Sequence, residues 1–182
     1  MKPKFKTVLT SVIIGVFLLL VDILSKSIVN RHLPFEKVQK TVFPFLNLYR
    51  THNTGYHFIF GNINNHFLWA LAGLVFVTIL LISLIHSLIK EDLDRANRFI
   101  YAAILSLTIG ATGNILEILF IGYATDFFIF KPFPWPSNLC DQYINAILYI
   151  ALPVIIIRSV IESVKRKRMS SSGKDIKEMK DQ

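Results

Sequence analysis

The 182-residue sequence is poor in cysteine, glycine and charge, and each shortage excludes a class of protein. One cysteine excludes a disulfide framework, and 8 glycines exclude a collagen-like repeat. Charged residues make up 18% of the chain, too few to cover a soluble surface, where about 25% is usual. Hydrophobic residues make up 53% and the mean hydropathy is +0.50, which excludes a disordered chain. The composition therefore indicates an integral membrane protein.

Four apolar segments are each about 20 residues long, the length of helix that crosses a hydrocarbon core of roughly 30 Å. We expect spans at about residues 8–28, 67–89, 99–121 and 143–161. The first has a basic start like a signal peptide, but no cleavage site of the A-x-A type follows it, so we interpret it as an uncleaved helix.

The predicted fold class is an all-α membrane protein with four transmembrane helices and a small external β-containing segment between helices 1 and 2. Residues 42–49 of that segment are rich in aromatic and apolar side chains, as strands are. Residues 1–164 would form the transmembrane domain, and residues 165–182 a basic, disordered cytoplasmic tail.

The basic residues are distributed unevenly between the two sides of the predicted bundle. Of the 20 Lys and Arg residues, 14 lie near the termini and in the segment 90–98. The positive-inside rule then places both termini in the cytoplasm, and residues 30–66 and 122–140 outside. The net charge of +8 is interpreted through the same rule rather than as a sign of nucleic-acid binding. The KRKR run at 165–168 is interpreted as a cluster that anchors the cytoplasmic end and attracts anionic lipid, rather than as a nucleic-acid or targeting site.

Two acids lie beside the same short external segment. Asp126 follows the third span and Asp141 opens the fourth, with IFKPFPWPSNLC between them. Because this topology places both at one membrane interface, we predict two neighbouring carboxyls in a poorly solvated site, where one keeps its proton, as in an aspartic protease. The alternative is a pair of exposed loop acids, with Asp141 favoured by the positive end of a helix.

The third span contains a second polar group. Asn114 and Glu117 share a helix face with Gly110 and Gly113, and close helix packing would explain that face apart from the acid. A lone carboxylate at Glu117 needs a partner or a proton. Polar groups inside spans are costly, so we treat both as candidates for function.

Two further clusters lie in the first span and the first external segment. Asp22 and Lys26 are four residues apart, and we expect an ion pair that supports structure rather than catalysis. Asn53, Thr54 and Gly55 form a turn-like cluster between aromatic stretches, which is a weak signal.

Cys140 suggests a thiol nucleophile with His52 or His57 as its base. A single cysteine is more often a small buried apolar residue, which we favour. The five histidines show no compact metal-binding spacing.

Taken in order, these motifs resemble those of the lipoprotein signal peptidases, or signal peptidase II, over about residues 8–160. VDILSKSIV is similar to the family's D-x-x-[ST]-K, and HNTGYHF to N-x-G-x-x-F. GATGNILE…GYATDF is similar to G-A-x-G-N-x-x-D-R…G-x-x-x-D-F, and PSNLCD to P-x-F-N-x-A-D. The matching positions are Asp22, Lys26, Asn53, Gly55, Phe58, Gly110, Gly113, Asn114, Gly122, Asp126, Phe127, Asn138 and Asp141.

The resemblance implies a bacterial inner-membrane aspartyl endopeptidase with its active site near the outer face. Such an enzyme cuts the signal peptide from diacylglyceryl-modified prolipoproteins, just before the lipidated Cys. Asp126 and Asp141 would be the catalytic pair, with no metal or organic cofactor. The partners would be the prolipoprotein and membrane lipids, without nucleic acid, and we expect a monomer. The supporting residues would be Asp22, Lys26, Asn53, Gly55, Asn114, Glu117 and Asn138.

The chain departs from the family pattern around the site. The acid–Arg pair of the third span is Glu117 and Ile118 here, and an Arg fork is not replaced by Ile. Arg50 is a candidate substitute cation. The other departures are Ile109, Ser137, Cys140, Tyr56 and His57. Two alternatives therefore stand beside the peptidase: a paralogue with a different membrane peptide substrate, and a non-catalytic binder of lipidated signal peptides.

Overall fold

The computed structural model describes residues 3–54, 65–131, 133 and 135–178, and for residues 166–178 it describes the backbone alone. The helices are α1 (Pro3–His32), α2 (His66–Lys90), α3 (Arg95–Ile121), α4 (Leu139–Ala146) and α5 (Leu152–Glu178). The strands are β1 (Val38–Lys40), β2 (Leu46–Asn53), β3 (Ala124–Phe130) and β4 (Pro136–Ser137).

Four helical stretches in the described part of the chain are long and apolar enough to cross a membrane. They are α1, α2, α3 and the stretch Leu139–Lys165, and each expected span lies inside one of them. Caps fix the ends of α3: the Asp94 carboxylate accepts the Asn97 N–H at 2.6 Å, and Gly122 ends the helix with a φ of +87°. The fold class read from the sequence is confirmed.

The fourth stretch is not a uniform α-helix. A π-helical turn, Ile147–Ala151, joins α4 to α5, and the Leu152 N–H donates to the Ile147 carbonyl five residues back. Pro153 follows at once and has no N–H to offer the preceding turn, so the ladder changes its spacing here.

The C-terminal tail differs from the expectation. We predicted disorder from residue 165, but α5 continues to Glu178. Lys, Arg, Glu and Met, which have high helix propensity, make up much of this segment, so the helix extends beyond its apolar part.

The four strands form one antiparallel sheet in the order β1-β2-β3-β4. The sequence indicated strands between α1 and α2, and β1 and β2 lie there. It did not indicate β3, which follows α3 directly. The register of β2 on β3 places Thr51 opposite Asp126 and Asn53 opposite Ala124. The sheet therefore joins the segment between α1 and α2 to the segment between α3 and α4.

The main apolar core lies between α1, α2 and α3. Its buried side chains are Val8, Leu84, Leu88, Ile104 and Leu105. Glycines allow α1 and α3 to approach closely, since a Cβ on Gly15 would lie 2.7 Å from the Ile109 Cβ. Most other apolar side chains point outward and are exposed, as on a helix that faces lipid.

Candidate active site

Asp126 and Asp141 lie on two elements that meet at one end of the helix bundle. Asp126 belongs to β3 and is buried, with 2% of its surface exposed. Asp141 lies in the first turn of α4 and is partly buried. β4 pairs with β3 and leads directly into α4, so the short connection folds back and brings the two acids together.

Asn138 links the two carboxyls. It is the N-cap of α4: its Oδ1 accepts the Asp141 N–H at 3.2 Å, and the Asp141 Oδ2 accepts the Asn138 N–H at 2.9 Å. Its Nδ2 donates to Asp126 Oδ1 at 2.6 Å and to the Thr125 carbonyl at 3.3 Å. One buried amide side chain thus holds the helix end, the strand and both acids in a fixed relation.

Asp126 also accepts a hydrogen bond from the sheet. The Asn53 Nδ2 at the end of β2 donates to Asp126 Oδ2 at 2.9 Å. Burial and the nearby charge of Asp141 raise the pKa of Asp126 from 3.8 to about 7, against the opposing effect of the Asn53 and Asn138 hydrogen bonds. The Asp126 carboxyl therefore keeps its proton to a much higher pH than an ordinary aspartate does.

Lys26 is the centre of a buried ionic cluster behind Asp141. Its Nζ lies 2.9 Å from Asp22 Oδ2, 2.9 Å from Glu117 Oε2 and 2.6 Å from Asn114 Oδ1. Asn114 in turn donates from Nδ2 to Asp141 Oδ1 at 3.0 Å. The expected pair of Asp22 and Lys26 forms, and the cluster connects it to the site.

Asp22 is fully buried and touches α4 as well as Lys26. Its Oδ1 accepts the Cys140 N–H at 3.3 Å. The absence of a side chain at Gly113 makes room for this contact, because a Cβ there would lie 2.6 Å from Asp22 Oδ2 and 2.8 Å from Cys140 Sγ. The small residues of α3 therefore serve the site as well as helix packing.

Thr125 is a site residue that the sequence analysis missed. It is fully buried, and both its N–H (3.0 Å) and its Oγ1 (2.7 Å) donate to the Glu117 carboxylate. Asn30 at the end of α1 donates to the same Oγ1 at 3.3 Å. Glu117 thus ties β3, next to Asp126, to Lys26. The only sequence signal was a Thr directly before the acid of the third-span motif, and its partner lies eight residues away.

The acid–Arg pair of the family pattern is absent here. Ile118 stands in the position of the Arg, and Arg50 does not pair with Glu117 in its place. The Ile118 side chain is buried in a small apolar cluster with Ala70 of α2 and Ala124 of β3. Arg50 donates from Nη1 to the backbone carbonyls of Asn30 and Leu33, at 2.9 and 3.1 Å, and so ties β2 to the end of α1. The cation beside Glu117 is Lys26, so the guess that Arg50 supplies it is wrong.

The structure also argues against a thiol nucleophile. Cys140 is fully buried, and its Sγ donates to the Gly110 carbonyl at 3.4 Å. His52 lies in β2, where its ring stacks on Tyr123 at a centroid distance of 3.7 Å. Burial, together with the charge of Arg50, lowers its pKa. Gly55 and His57 lie outside the described residues.

The arrangement suits acid–base hydrolysis. Two carboxyls share one buried region, amide donors orient both of them, and a proton is held at Asp126 near neutral pH. An ionised carboxylate can remove a proton from water while its protonated neighbour donates one to a carbonyl oxygen.

Comparisons of sequence with known proteins all point to the same family. A model of the family "Signal peptidase (SPase) II" matches residues 14–159. A lipoprotein signal peptidase of Thermodesulfovibrio yellowstonii is 33% identical over 138 residues, which cover 72% of this chain and 85% of the relative. One from Aeromonas hydrophila is 32% identical over 136 residues, covering 72% of this chain and 78% of the relative. A bacterial membrane enzyme solved by the in meso method at 1.9 Å resolution is similar in fold, with a TM-score of 0.62, 25% identity and coverage of 82% of this chain and 91% of that one.

Proposed function

The chain belongs to the signal peptidase II family, and on that premise we propose that it is an aspartyl endopeptidase that removes signal peptides from prolipoproteins, with Asp126 and Asp141 as its catalytic pair. The observation that carries the assignment of Asp126 and Asp141 is that Asn138 donates a hydrogen bond to each of them and so holds the two carboxyls close together. Four helical stretches that are long and apolar enough to cross a membrane support access by a membrane-embedded peptide.

The two carboxyls divide the acid–base work. The ionised Asp141 removes a proton from a water molecule, whose oxygen attacks the scissile carbonyl carbon. Asp126, which holds a proton because its pKa is raised to about 7, donates it to the carbonyl oxygen. When the tetrahedral intermediate collapses, the C–N bond breaks, the leaving amine takes the proton from Asp141, and one hydroxyl of the intermediate returns its proton to Asp126.

The hydrogen-bond donors around the pair orient it for this work. Asn53 and Asn138 hold the two oxygens of Asp126, and Asn114 holds one oxygen of Asp141. Lys26 fixes Asn114, and Asp22 and Glu117 balance the charge of Lys26. These residues position the pair, and we propose no direct contact with the peptide for them.

The proposed substrate is a prolipoprotein that carries diacylglyceryl on its Cys, cut just before that residue. The names of the relatives support this class of substrate. We propose that both chain termini lie in the cytoplasm and that the site lies near the outer face of a bacterial inner membrane, and the distribution of basic residues supports this orientation. In this setting the diacylglyceryl chains stay in the bilayer while the peptide enters the site.

Ile118 favours a second candidate, a paralogue that acts on a different membrane peptide. An Arg at this position would offer up to five donors to a peptide backbone, and Ile offers none. The non-catalytic binder is less well supported, because the hydrogen bonds to Asp126 and Asp141 maintain a costly pair that a binder does not need.

A cleavage assay with matched substrates tests the function. The purified full chain is reconstituted in lipid and given one prolipoprotein with and without the diacylglyceryl group, and mass spectrometry identifies the products. We expect a product that begins at the modified Cys, and none from the unmodified substrate. Equal cleavage of both forms would favour the paralogue, and binding without cleavage would favour the non-catalytic binder.

A further inference from the structure

A groove lies between α1 and α3 at the end of the bundle opposite the candidate active site. Its volume is about 730 Å³. The apolar part of its wall includes Ile14, Leu18, Phe99, Ala102, Ala103 and Leu107. Thr7, Thr10, Ser11 and Ser106 line it too, and Ser106 Oγ is already bonded to the carbonyls of Ser11 and Ala102.

Three basic residues lie at one end of this groove: Lys6, Arg95 and Arg98. Among the described residues, no acid lines the groove and none of the three forms an ion pair. The nearby acids contact other cations, since Asp94 lies 2.6 Å from Arg158 and Asp92 lies 3.9 Å from Lys4. The lining of the groove therefore carries three positive charges and no negative one.

Arg98 adds an unsatisfied donor. Its Nη2 donates to the Leu93 carbonyl at 3.3 Å, but its Nε is buried and has no hydrogen-bond partner within the described structure. A buried N–H without an acceptor is costly, so an oxygen of a bound group is expected to accept it.

The dimensions of the groove match one leaflet. Along α1 its lining runs from Pro3 to Leu18, about 22 Å at a rise of 1.5 Å per residue. The stretch beyond Thr10 covers about 12 Å, close to half of a hydrocarbon core of roughly 30 Å. With this end of the groove at a membrane surface, the cations would lie at headgroup depth and the apolar walls at the depth of acyl chains.

We propose that this groove is a binding site for one anionic phospholipid of the leaflet on the basic side. One acyl chain lies along the apolar walls between α1 and α3, and the phosphate contacts Lys6, Arg95 and Arg98. The site is separate from the catalytic pair, so the proposal does not depend on the peptidase assignment.

Native mass spectrometry of the purified full chain tests the site. The protein is titrated with phosphatidylglycerol or with phosphatidylcholine of the same acyl chains. We expect tighter binding of phosphatidylglycerol, and about fivefold weaker binding after Arg98→Gln or Lys6→Gln, because each removes one cation from the headgroup. Lys90→Gln is the matched control: it removes an exposed cation near the same end that does not line the groove, and should leave binding unchanged.

A second variant tests the apolar part of the site. Ala103→Phe fills the groove and should weaken binding of both lipids. If the Ala103→Phe variant does not fold, Arg98→Gln and Lys6→Gln still test the site. Equal affinity for the two lipids would overturn the proposal, and so would an equal loss in Lys90→Gln and Arg98→Gln. A dimer that disappears in Ala103→Phe, without a lipid adduct, would assign the groove to a second copy of the chain and also overturn it.

Discussion

Asn138 and Thr125 show how single residues organise the site. Asn138 bonds to both acids, and Thr125, next to Asp126, bonds to Glu117 through its backbone and its side chain. Glu117 also contacts Lys26, which reaches Asp141 through Asn114. The two acids are therefore connected twice, directly through Asn138 and indirectly through the ionic cluster.

The proton on Asp126 predicts a specific pH dependence. Its pKa in the folded protein, about 7, lies above the ordinary 3.8, so the folded chain binds a proton that the unfolded chain has released between these values. The resulting contribution to the free energy of unfolding is fully present below about pH 4 and is lost as the pH rises through about 7. Cleavage should fall with the same midpoint, because Asp126 then lacks the proton it donates.

Asn53→Ala tests the origin of this midpoint. The amide hydrogen bond favours the charged form of Asp126, so its removal should move the descending limb of kcat/KM to higher pH. The measured quantity is the pH at which kcat/KM has fallen to half of its maximum, not the maximum rate itself. A midpoint near pH 4 in the wild-type chain, or one that stays fixed in the variant, would contradict the assignment of the proton to Asp126.

Thr125→Val should weaken the link between β3 and Glu117. The change keeps the shape of the side chain and removes a hydroxyl donor to a carboxylate, a bond worth about 1.5–3 kcal/mol. We expect a drop in kcat of about tenfold, since a small displacement of a catalytic group is costly, with little change in KM. Thr125→Ser keeps the hydroxyl and should restore most of the rate. Equal rates for the Val and Ser variants would show that the hydroxyl does not position the strand.

At the scale of elements, the sequence predicts the helices well and the sheet only in part. Long apolar runs locate α1, α2 and α3 because length and composition are local properties. Strand β3 cannot be found in this way: only Gly122 and Tyr123 separate the segment ATDFFIF from α3, and it is a strand because β2 and β4 pair with it. The β2–β3 pairing joins residues more than 70 positions apart and leaves no local pattern, so the contact between Asn53 and Asp126 could not be read from the sequence.

Gly113→Ala tests the packing of α1, α3 and α4 around the site. The added Cβ would meet Asp22 Oδ2 at 2.6 Å and Cys140 Sγ at 2.8 Å, so the helices must separate. Overpacking of this kind costs about 1–3 kcal/mol. We expect a lower melting temperature and a loss of activity, because Asp22 and Lys26 move with the helices.

Gly110→Ala is the matched comparison on the same helix face. Its Cβ meets the Leu18 Cβ at 2.9 Å and the Tyr143 ring at 3.0 Å, away from the Asp22 carboxylate. It should lower the melting temperature with a smaller loss of activity in the fraction that remains folded. Full activity in Gly113→Ala would show that the ionic cluster tolerates displacement.

At the scale of the whole molecule, the two ends of the helix bundle differ in the residues that they carry. The proposed catalytic pair, Asp126 and Asp141, lies with the sheet at one end, and the basic residues of the proposed lipid groove lie at the other. The sequence predicted this division from the distribution of Lys and Arg. It could not predict the groove, because its walls come from residues about 90 positions apart on α1 and α3.

Labelling of single cysteines tests the proposed orientation. In a Cys140→Ala background, Lys40→Cys on β1 and Lys165→Cys on α5 replace exposed lysines at opposite ends. A membrane-impermeant maleimide should label the first in intact spheroplasts and the second only after permeabilisation. The reverse pattern would place the site on the cytoplasmic side.

The measurement that tests the central claim most directly is the cleavage rate of a diacylglyceryl-modified prolipoprotein by Asp126→Asn and Asp141→Asn in lipid, beside Cys140→Ala as a control. Both Asn variants should fold, as their melting temperatures would show, and each should lose activity by at least about 10²-fold because one acid–base group is gone. Cys140→Ala should cleave normally, since the thiol is buried and donates to the Gly110 carbonyl. Cleavage at the wild-type rate by either Asn variant would contradict the assignment of Asp126 and Asp141 as the catalytic pair.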